Sequence, residues 1–328
     1  MPHISVVSGC YNEEDNVGEL FDRVKAAVEG LGEKYTFELV LIDNASTDKT
    51  VERIKELVKK DDRVRAIVNA RNFGHIRSPY YALLQSEGDI TIAMASDLQD
   101  PPELIPEFVK KWEEGFKIVA AIKTDTSESK VLWLFRSIYY RTVKRLANVS
   151  LLEHFTGFGL YDRHIIEILR SIEDPYPYFR GLISEIGYDI ARVPFKQPSR
   201  KHGKTKASFF ILYDMAMLGI ITHSRIPMRL ASMSGFLLSA FSLLVGLAYL
   251  IAKLVFWNQF QLGLAPVVIG TFLMSSAVLF SVGVLGEYVA SIQTHVRKLP
   301  LVVERERINF PPERRTSLGR PAAPPPPP

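Results

Sequence analysis

The chain of 328 residues predicts an α/β fold with a mainly parallel sheet, followed by an interfacial helix and a two-helix transmembrane hairpin. Three observations predict it. Short β-rich runs alternate with amphipathic helical periods through the first third of the chain. A polar turn follows each of several successive strands. The C-terminal third carries two long runs without charge.

The elements follow in order. "ISVVS" (Ile4 to Ser8) is a strand, and Val17, Leu20, Phe21, Val24, Val28 and Leu31 then mark one face of a helix. Asn16, three residues before Glu19, predicts an N-cap for that helix. "FELVLID" is a second strand ending at Asp43. "NASTDKT" turns into a helix whose apolar face is Val51, Ile54, Leu57 and Val58. "RVRAIVN" and "DITIAMA" are two more strands. Ile105, Phe108, Val109 and Trp112 line a later helix, and "FKIVAAI" adds another strand. This βαβα order implies a mainly parallel sheet with both faces covered. Ligands of such sheets bind beyond the carboxyl ends of the strands, where Asp43 and Asp97 both sit.

The C-terminal third is different in kind. "LASMSGFLLSAFSLLVGLAYLIA" (230–252) has no charge, and a second apolar run covers 262–285; Leu254 to Gly286 contains no charged residue. At 1.5 Å per residue each run spans roughly 35 Å, more than the roughly 30 Å of a hydrocarbon core. Phe256 and Trp257 in the connection suit a membrane interface. Arg225 and Arg229 before the hairpin, with Arg297 and Lys298 after it, place its open ends and the N-terminal domain on the cytoplasmic side. The stretch 207–225 reads as an amphipathic helix laying Phe209, Phe210, Leu212, Met215 and Leu218 into headgroups. The expected organisation is therefore a domain over 1–206, an interfacial helix over 207–225, a hairpin over 226–298, and a tail over 299–328 whose Pro-rich end is disordered.

Composition excludes several classes. A net charge of +4 gives no reason to expect a nucleic-acid partner. The single cysteine, Cys10, rules out an intrachain disulfide and fits a reducing compartment. "MPHISVVSGCYNEE" has neither the basic n-region nor the apolar core of a signal peptide. A Walker motif and a Gly-x-Gly-x-x-Gly after a strand are both absent, so P-loop and dinucleotide readings fail. What remains is a set of polar turns, "CYNEE", "IDNASTD", "RNFGH" and "SDLQDPPE", opening on one crevice.

These turns resemble the nucleotide-sugar domain of inverting GT-A (Rossmann-like) glycosyltransferases, whose usual forms are P-x-Y-N-E, D-D-G-S-x-D, R-N-x-G and D-x-D. "RNFGH" and "DLQDPPE" ahead of a membrane hairpin resemble more narrowly the polyprenyl-phosphate glycosyltransferases, such as undecaprenyl-phosphate glucosyltransferases and dolichyl-phosphate mannose synthases. The resemblance covers about residues 4 to 300. It implies a nucleotide-sugar pocket lined by Tyr11, Asn12, Glu13, Asp43, Asn44, Ser46, Asp48, Arg71, Asn72 and Asp97. Asp97, with Gln99, is implied as the ligand of Mg²⁺ or Mn²⁺. "RKHGKTK" resembles the R-x-x-G-x-S-K loop, which implies Arg200, Lys204 and Lys206 on the acceptor phosphate and Arg200 beside Asp97 in catalysis. "HFTGFGLYDR" resembles an acceptor-side segment in which Asp162 caps a helix.

Four positions depart from the family forms. Gly9 stands for Pro, Asn44 and Ala45 for Asp and Gly, and Ala95 for the first Asp of D-x-D. Mg²⁺ in phosphate sites takes one or two protein carboxylates, so Asp97 with substrate diphosphate is a sufficient set. The implied activity is transfer of a hexose, with UDP-glucose as leading donor and other UDP-hexoses or GDP-mannose as alternatives. The resemblance implies undecaprenyl or dolichyl phosphate as acceptor and a bacterial inner membrane as setting, and leaves open whether the chain forms a homo-oligomer (dimer or tetramer). A processive polysaccharide synthase is disfavoured by the absence of Gln-x-x-Arg-Trp. A silent nucleotide-sugar or lipid-phosphate binding module is the alternative from another class.

Overall fold

The computed structural model describes residues 1–125, 152, 154–198, scattered helical residues between 233 and 255, 264–296 and 299–310. They fall in two compact units, the sheet with its helices and the return segment 299–310 in one, and the helix at 264–296 in the other. The interfacial stretch 207–225 and most of the first expected span lie outside the described residues.

The sheet unit runs β1 (His3–Cys10), α1 (Val17–Glu29), β2 (Thr36–Asp43), α2 (Thr50–Lys60), β3 (Val64–Asn69), α3 (Gly74–Leu84), β4 (Ile90–Ala95) and α4 (Ile105–Glu113). It continues with β5 (Ile118–Asp125), β6 (Phe155–Asp162), α5 (Arg163–Ser171), α6 (Phe179–Glu185) and β7 (Ile190–Lys196). After α7 (Leu264–Val296), β8 (Glu304–Ile308) closes the sheet. The strand order is β7-β5-β6-β4-β1-β2-β3-β8. The run β4-β1-β2-β3 is parallel, as the βαβα order predicts. The rest makes the sheet mixed. β6 lies antiparallel between β4 and β5, and β8 pairs antiparallel with β3.

Strand alternation sets the two layers. Ile4, Val6, Leu39 and Leu41 pack with Val17, Leu20, Phe21 and Val24 of α1 and with Ile105, Phe108 and Val109 of α4. Val7, Val40, Ile42 and Ile67 face the other way, with Ala82 of α3. The helical faces read from spacing are therefore the buried faces of α1 and α4. Asn16, expected as an N-cap, makes no capping bond; it donates to Glu13 Oε2 at 2.6 Å instead. Asp162 does cap α5, accepting from the His164 amide at 3.0 Å. Its other oxygen accepts from Trp112 Nε1 at 2.7 Å and Lys117 Nζ at 2.9 Å. Burial works against its charge, but these donors outweigh burial and hold the carboxyl below its usual range.

β8 was not expected from the sequence, because "ERERI" offers no apolar period. Polar contacts hold it: Glu304 accepts from Tyr81 Oη at 2.8 Å, Glu306 from Lys55 Nζ at 2.7 Å, and Arg307 donates to Gln85 Oε1 at 2.7 Å. The helix α7 has 33 residues and begins close to where the second apolar run was expected. Across the residues whose side chains are described, no helix is long and apolar enough to cross a membrane. Several positions within α7 lie outside that description.

Two glycines give opposite expectations. A Cβ on Gly159 would stand 2.2 Å from the Val119 carbonyl oxygen, in backbone that cannot step aside. Gly18, inside α1, meets nothing within 4 Å. Gly159→Ala should therefore lower stability by about 1–3 kcal/mol, and Gly18→Ala should raise it by about 0.5–1 kcal/mol. Thermal unfolding of the purified full chain measures both; equal midpoints for the two variants would contradict the packing.

Candidate active site

Four parallel strands end level with one another. Gly9 lies opposite both Ile42 and Ala95, Cys10 opposite Asp43, and Asp43 opposite Val68. The turns after β1, β2, β3 and β4 therefore leave the sheet along one edge, where α/β sheets bind ligands. Three of these turns contain a non-glycine residue in the left-handed region: Asn12 (φ 56°), Ala45 (φ 61°) and Leu98 (φ 59°). Each costs of order 1 kcal/mol, and such outliers gather at functional edges.

The first two turns are laced together. The Asn12 amide donates to Ser46 Oγ at 2.9 Å, and Asn12 Oδ1 accepts from the Thr47 amide at 2.8 Å. The Glu13 amide donates to Thr50 Oγ1 at 2.8 Å, and Asp48 Oδ1 accepts from the Thr50 amide at 3.0 Å. Tyr11 and Glu13 are half-buried on the same turn. Asp43 is fully buried; Oδ2 accepts from the Ser46 amide at 3.0 Å, while Oδ1 has no hydrogen-bond partner. Burial pushes this carboxyl above its usual range. Cys10 beneath the turn is likewise pushed far up by burial, which leaves its thiol inert.

Asn44 joins the second turn to the third. Its Nδ2 donates to Asn72 Oδ1 at 2.9 Å and to the Gly74 carbonyl at 3.2 Å. Its Oδ1 accepts from the Phe73 amide at 2.9 Å and from Asn69 Nδ2 at 3.2 Å. The amide orientation is forced, because the Phe73 N–H can only donate and the Gly74 carbonyl can only accept. Asn69 also donates to Ser78 Oγ at 2.9 Å, and Asn72 Oδ1 accepts from the Gly74 amide at 2.8 Å. Asn44, expected on the nucleotide, is thus turned inward, and only 7% of it is exposed. Arg71 stacks on Phe73, its guanidinium carbon 4.2 Å from the ring centre.

The fourth turn carries the carboxylates. Asp97 Oδ1 accepts from the Gln99 amide at 3.2 Å, closing a tight loop around Leu98. Asp100 Oδ2 accepts from the Ala95 amide at 2.9 Å. Burial, and then the Asp97 charge, push Asp100 up to about 6 against the pull of the Ala95 amide and Lys123. Ser96 Oγ donates to the Gly9 carbonyl at 2.9 Å and ties this turn to β1. Gln99 Nε2 reaches the Pro198 carbonyl at 3.5 Å. Among the described residues no three His, Cys, Asp or Glu side chains stand close enough together to hold a metal. One carboxylate at a strand end fits a cation that arrives with its phosphate ligand, not a closed protein cage. Arg200, Lys204 and Lys206 lie outside the described residues.

The structure thus brings Tyr11, Asn12, Glu13, Asp43, Asn44, Ser46, Asp48, Asn72 and Asp97 to one edge. The supports Thr50, Asn69, Ser78 and Asp100 were not expected; only their place one step beyond the motif residues marks them in the sequence.

Comparison with known proteins matches the model of "Glycosyl transferase family 2" to residues 5–169. The chain belongs to this family. Among curated relatives of this glycosyltransferase, "Uncharacterized glycosyltransferase YkcC" of Bacillus subtilis is 31% identical over 91% of this chain and 92% of its own length. "SfII prophage-derived bactoprenol glucosyl transferase" of Shigella flexneri is 28% identical over 90% and 96%. "Undecaprenyl-phosphate 4-deoxy-4-formamido-L-arabinose transferase" of Shewanella sediminis is 27% identical over 90% and 90%.

The Asn44 amide yields a sharp expectation. Asn44→Asp keeps the shape but removes both donors and sets a carboxylate against Asn72 Oδ1 and the Gly74 carbonyl. Stability at pH 7 should fall by about 1–3 kcal/mol. The introduced carboxyl is raised above its unfolded value by these acceptors, so it destabilises most at high pH, and the deficit shrinks as pH falls and it protonates. Thermal melts from pH 5 to 8 read this; a deficit independent of pH would remove the acceptor contacts from the account.

Proposed function

We propose that this glycosyltransferase moves glucose from UDP-glucose onto a polyprenyl phosphate at a bilayer surface, giving the β-linked lipid phosphosugar. The observation that carries the reading is the shared edge of β1, β2 and β4, which sets Tyr11, Glu13 and Asp43 beside Asp97. Near full-length similarity to two transferases named for bactoprenol and undecaprenyl phosphate supports the acceptor class.

The chain's residues have separable tasks. The β1 and β2 turns hold the nucleoside; the unpartnered Asp43 Oδ1 is buried beneath them and accepts from a base N–H only once the Ser46 turn shifts. Asp97, with Gln99, would hold Mg²⁺ or Mn²⁺ on the diphosphate. Such a cation, when bound, offsets the charge that builds on the leaving group. Arg200, Lys204 and Lys206 grip the acceptor phosphate. That phosphate is largely ionised near neutral pH, so no general base is needed. Its oxygen attacks the anomeric carbon from the face opposite the diphosphate. The new C–O bond forms as the bond to the diphosphate oxygen breaks, and UDP leaves with that electron pair. Inversion follows from this geometry.

Membrane residence belongs to the same proposal. At 1.5 Å per residue the 33 residues of α7 extend about 50 Å, against about 30 Å of hydrocarbon. Val278, Leu279, Phe280 and Val282 are all exposed, so apolar side chains point in several directions around the axis. An apolar surface on all sides of a helix needs lipid or protein, not water.

The test is extraction of lipid after incubating the purified chain with radiolabelled UDP-glucose, undecaprenyl phosphate and Mg²⁺. Label in the lipid phase is expected for the wild type. Asp97→Ala should lower kcat/KM by about 10²–10³ while the chain remains folded. UDP binding without transfer by the wild type would favour a silent binding module, and full turnover by Asp97→Ala would remove that residue from the chemistry.

A further inference from the structure

A second cationic feature lies on the return segment side of the sheet; of its residues, only Arg71 is among those that the sequence resemblance places in the nucleotide-sugar pocket. Arg71 and Arg77 both lie over the Phe73 ring, their guanidinium carbons 4.2 Å and 5.5 Å from its centre. Arg71 donates to the Asn72 carbonyl at 3.2 Å, and Arg77 Nη2 donates to the Pro300 carbonyl. Among the described residues neither has a carboxylate within ion-pair distance. Arg77 Nε is buried and has no hydrogen-bond partner. Burial, and then the Arg71 charge, hold the Arg77 guanidinium below its ordinary value. Two like charges held together, with an unused donor, are a standing cost that an anion relieves.

The pair opens on a cavity of ≈ 330 Å³, walled on its other side by Leu299, Pro300 and Val303. The Ala70 amide donates to the Val303 carbonyl at 2.9 Å, which fixes that wall to the end of β3. The lining thus combines two cationic side chains with apolar ones. Leu299 follows Val296, the last residue of α7, by three residues in sequence.

We propose that this cavity binds the phosphate headgroup of an anionic membrane lipid, the phosphate on the Arg71–Arg77 pair and the start of the apolar chain on Leu299, Pro300 and Val303. The proposal rests on the reading of α7 as membrane-spanning. A phosphodiester takes the planar guanidinium forks as paired acceptors. The cavity lies at the end of β3, three strands from β4 and its Asp97 turn in the sheet order, and is a place for a resident lipid, not for the acceptor. Its consequence is an anchor that ties the β3–α3 turn, and through Asn72 and Asn44 the donor edge, to the bilayer surface.

The experiment is thermal unfolding of the full chain in neutral detergent, titrated with short-chain phosphatidylglycerol, with phosphatidylcholine of the same chain length, with inorganic phosphate, and with UDP. Phosphatidylglycerol should raise the midpoint of the wild type, as a ligand of the native state does; phosphatidylcholine should not. Arg77→Gln should weaken that response about tenfold or more, with Arg77→Lys between, since it keeps charge but not the fork. Val303→Asp, at an exposed wall position, should weaken it equally by placing a carboxylate against the arginines. Both variants should keep the wild-type response to UDP. Wild-type responses to phosphatidylglycerol in Arg77→Gln and Val303→Asp would overturn the site. An equal, Arg77-dependent response to inorganic phosphate would overturn the lipid assignment in favour of free phosphate. Alkaline carbonate washing of membranes tests the spanning reading separately. Release of the wild type sinks that reading and the lipid source with it, whereas retention with a flat phosphatidylglycerol titration sinks the site alone.

Discussion

The register of β1 against its two parallel neighbours is the constraint from which the rest of the edge follows. With Gly9 level with Ile42 and Ala95, three chains must turn away from the sheet within the same few ångströms. Asn12, Ala45 and Leu98 take positive φ; the amide after Asn12 reaches Thr50 at the end of the second turn, whereas those after Ala45 and Leu98 close their own turns on Asp43 and Asp97. Gly9 itself has no room for a side chain: a Cβ would stand 2.9 Å from Pro79 of α3. The proline usual at that place in related sequences is excluded here by a proline on the opposite element.

A consequence is that most motif residues face one another. Asn12 and Ser46 bond across two turns, Asp48 holds Thr50, and Asn44 holds Asn72 and the Phe73 amide. Family motifs therefore encode turn geometry as much as contact with a ligand. Asn44 illustrates it: an aspartate could accept from the Phe73 amide, but only an amide can also donate to Asn72 Oδ1 and the Gly74 carbonyl. The exchange of Asp for Asn changes which turn is held, and leaves the edge in place.

The legible parts of the fold were those with an apolar period. α1 and α4 show their buried faces directly in residue spacing, and the four strands β1 to β4 are runs of β-branched and aliphatic residues. β6 was read only by resemblance, as an acceptor-side segment, and not as a strand; Gly159 is required there by the Val119 carbonyl, a contact no local pattern reveals. β8 was invisible for a different reason. Edge strands are kept charged to prevent pairing with other chains, and "ERERI" is held by partners such as Lys55, Tyr81 and Gln85, more than two hundred residues away in sequence. Of the site, the strand-end positions were readable, but the inward turn of Asn44 and the burial of Asp43 depend on neighbours that only the folded turns bring in.

The missing first aspartate of the D-x-D form has a local cause. Ala95 gives its amide to Asp100, and Asp100 is already driven up to about 6 by burial and by Asp97. A carboxylate at 95 would be a third acidic group in one turn of six residues, beside a partner already raised to about 6. Like charges in so dry a place raise one another's pKa values and tend to stay protonated. A protonated pair binds a cation poorly, so adding the family residue alone does not restore the family site. Asp100, buried and already raised to about 6 beside Asp97, therefore limits how much further negative charge this edge can hold.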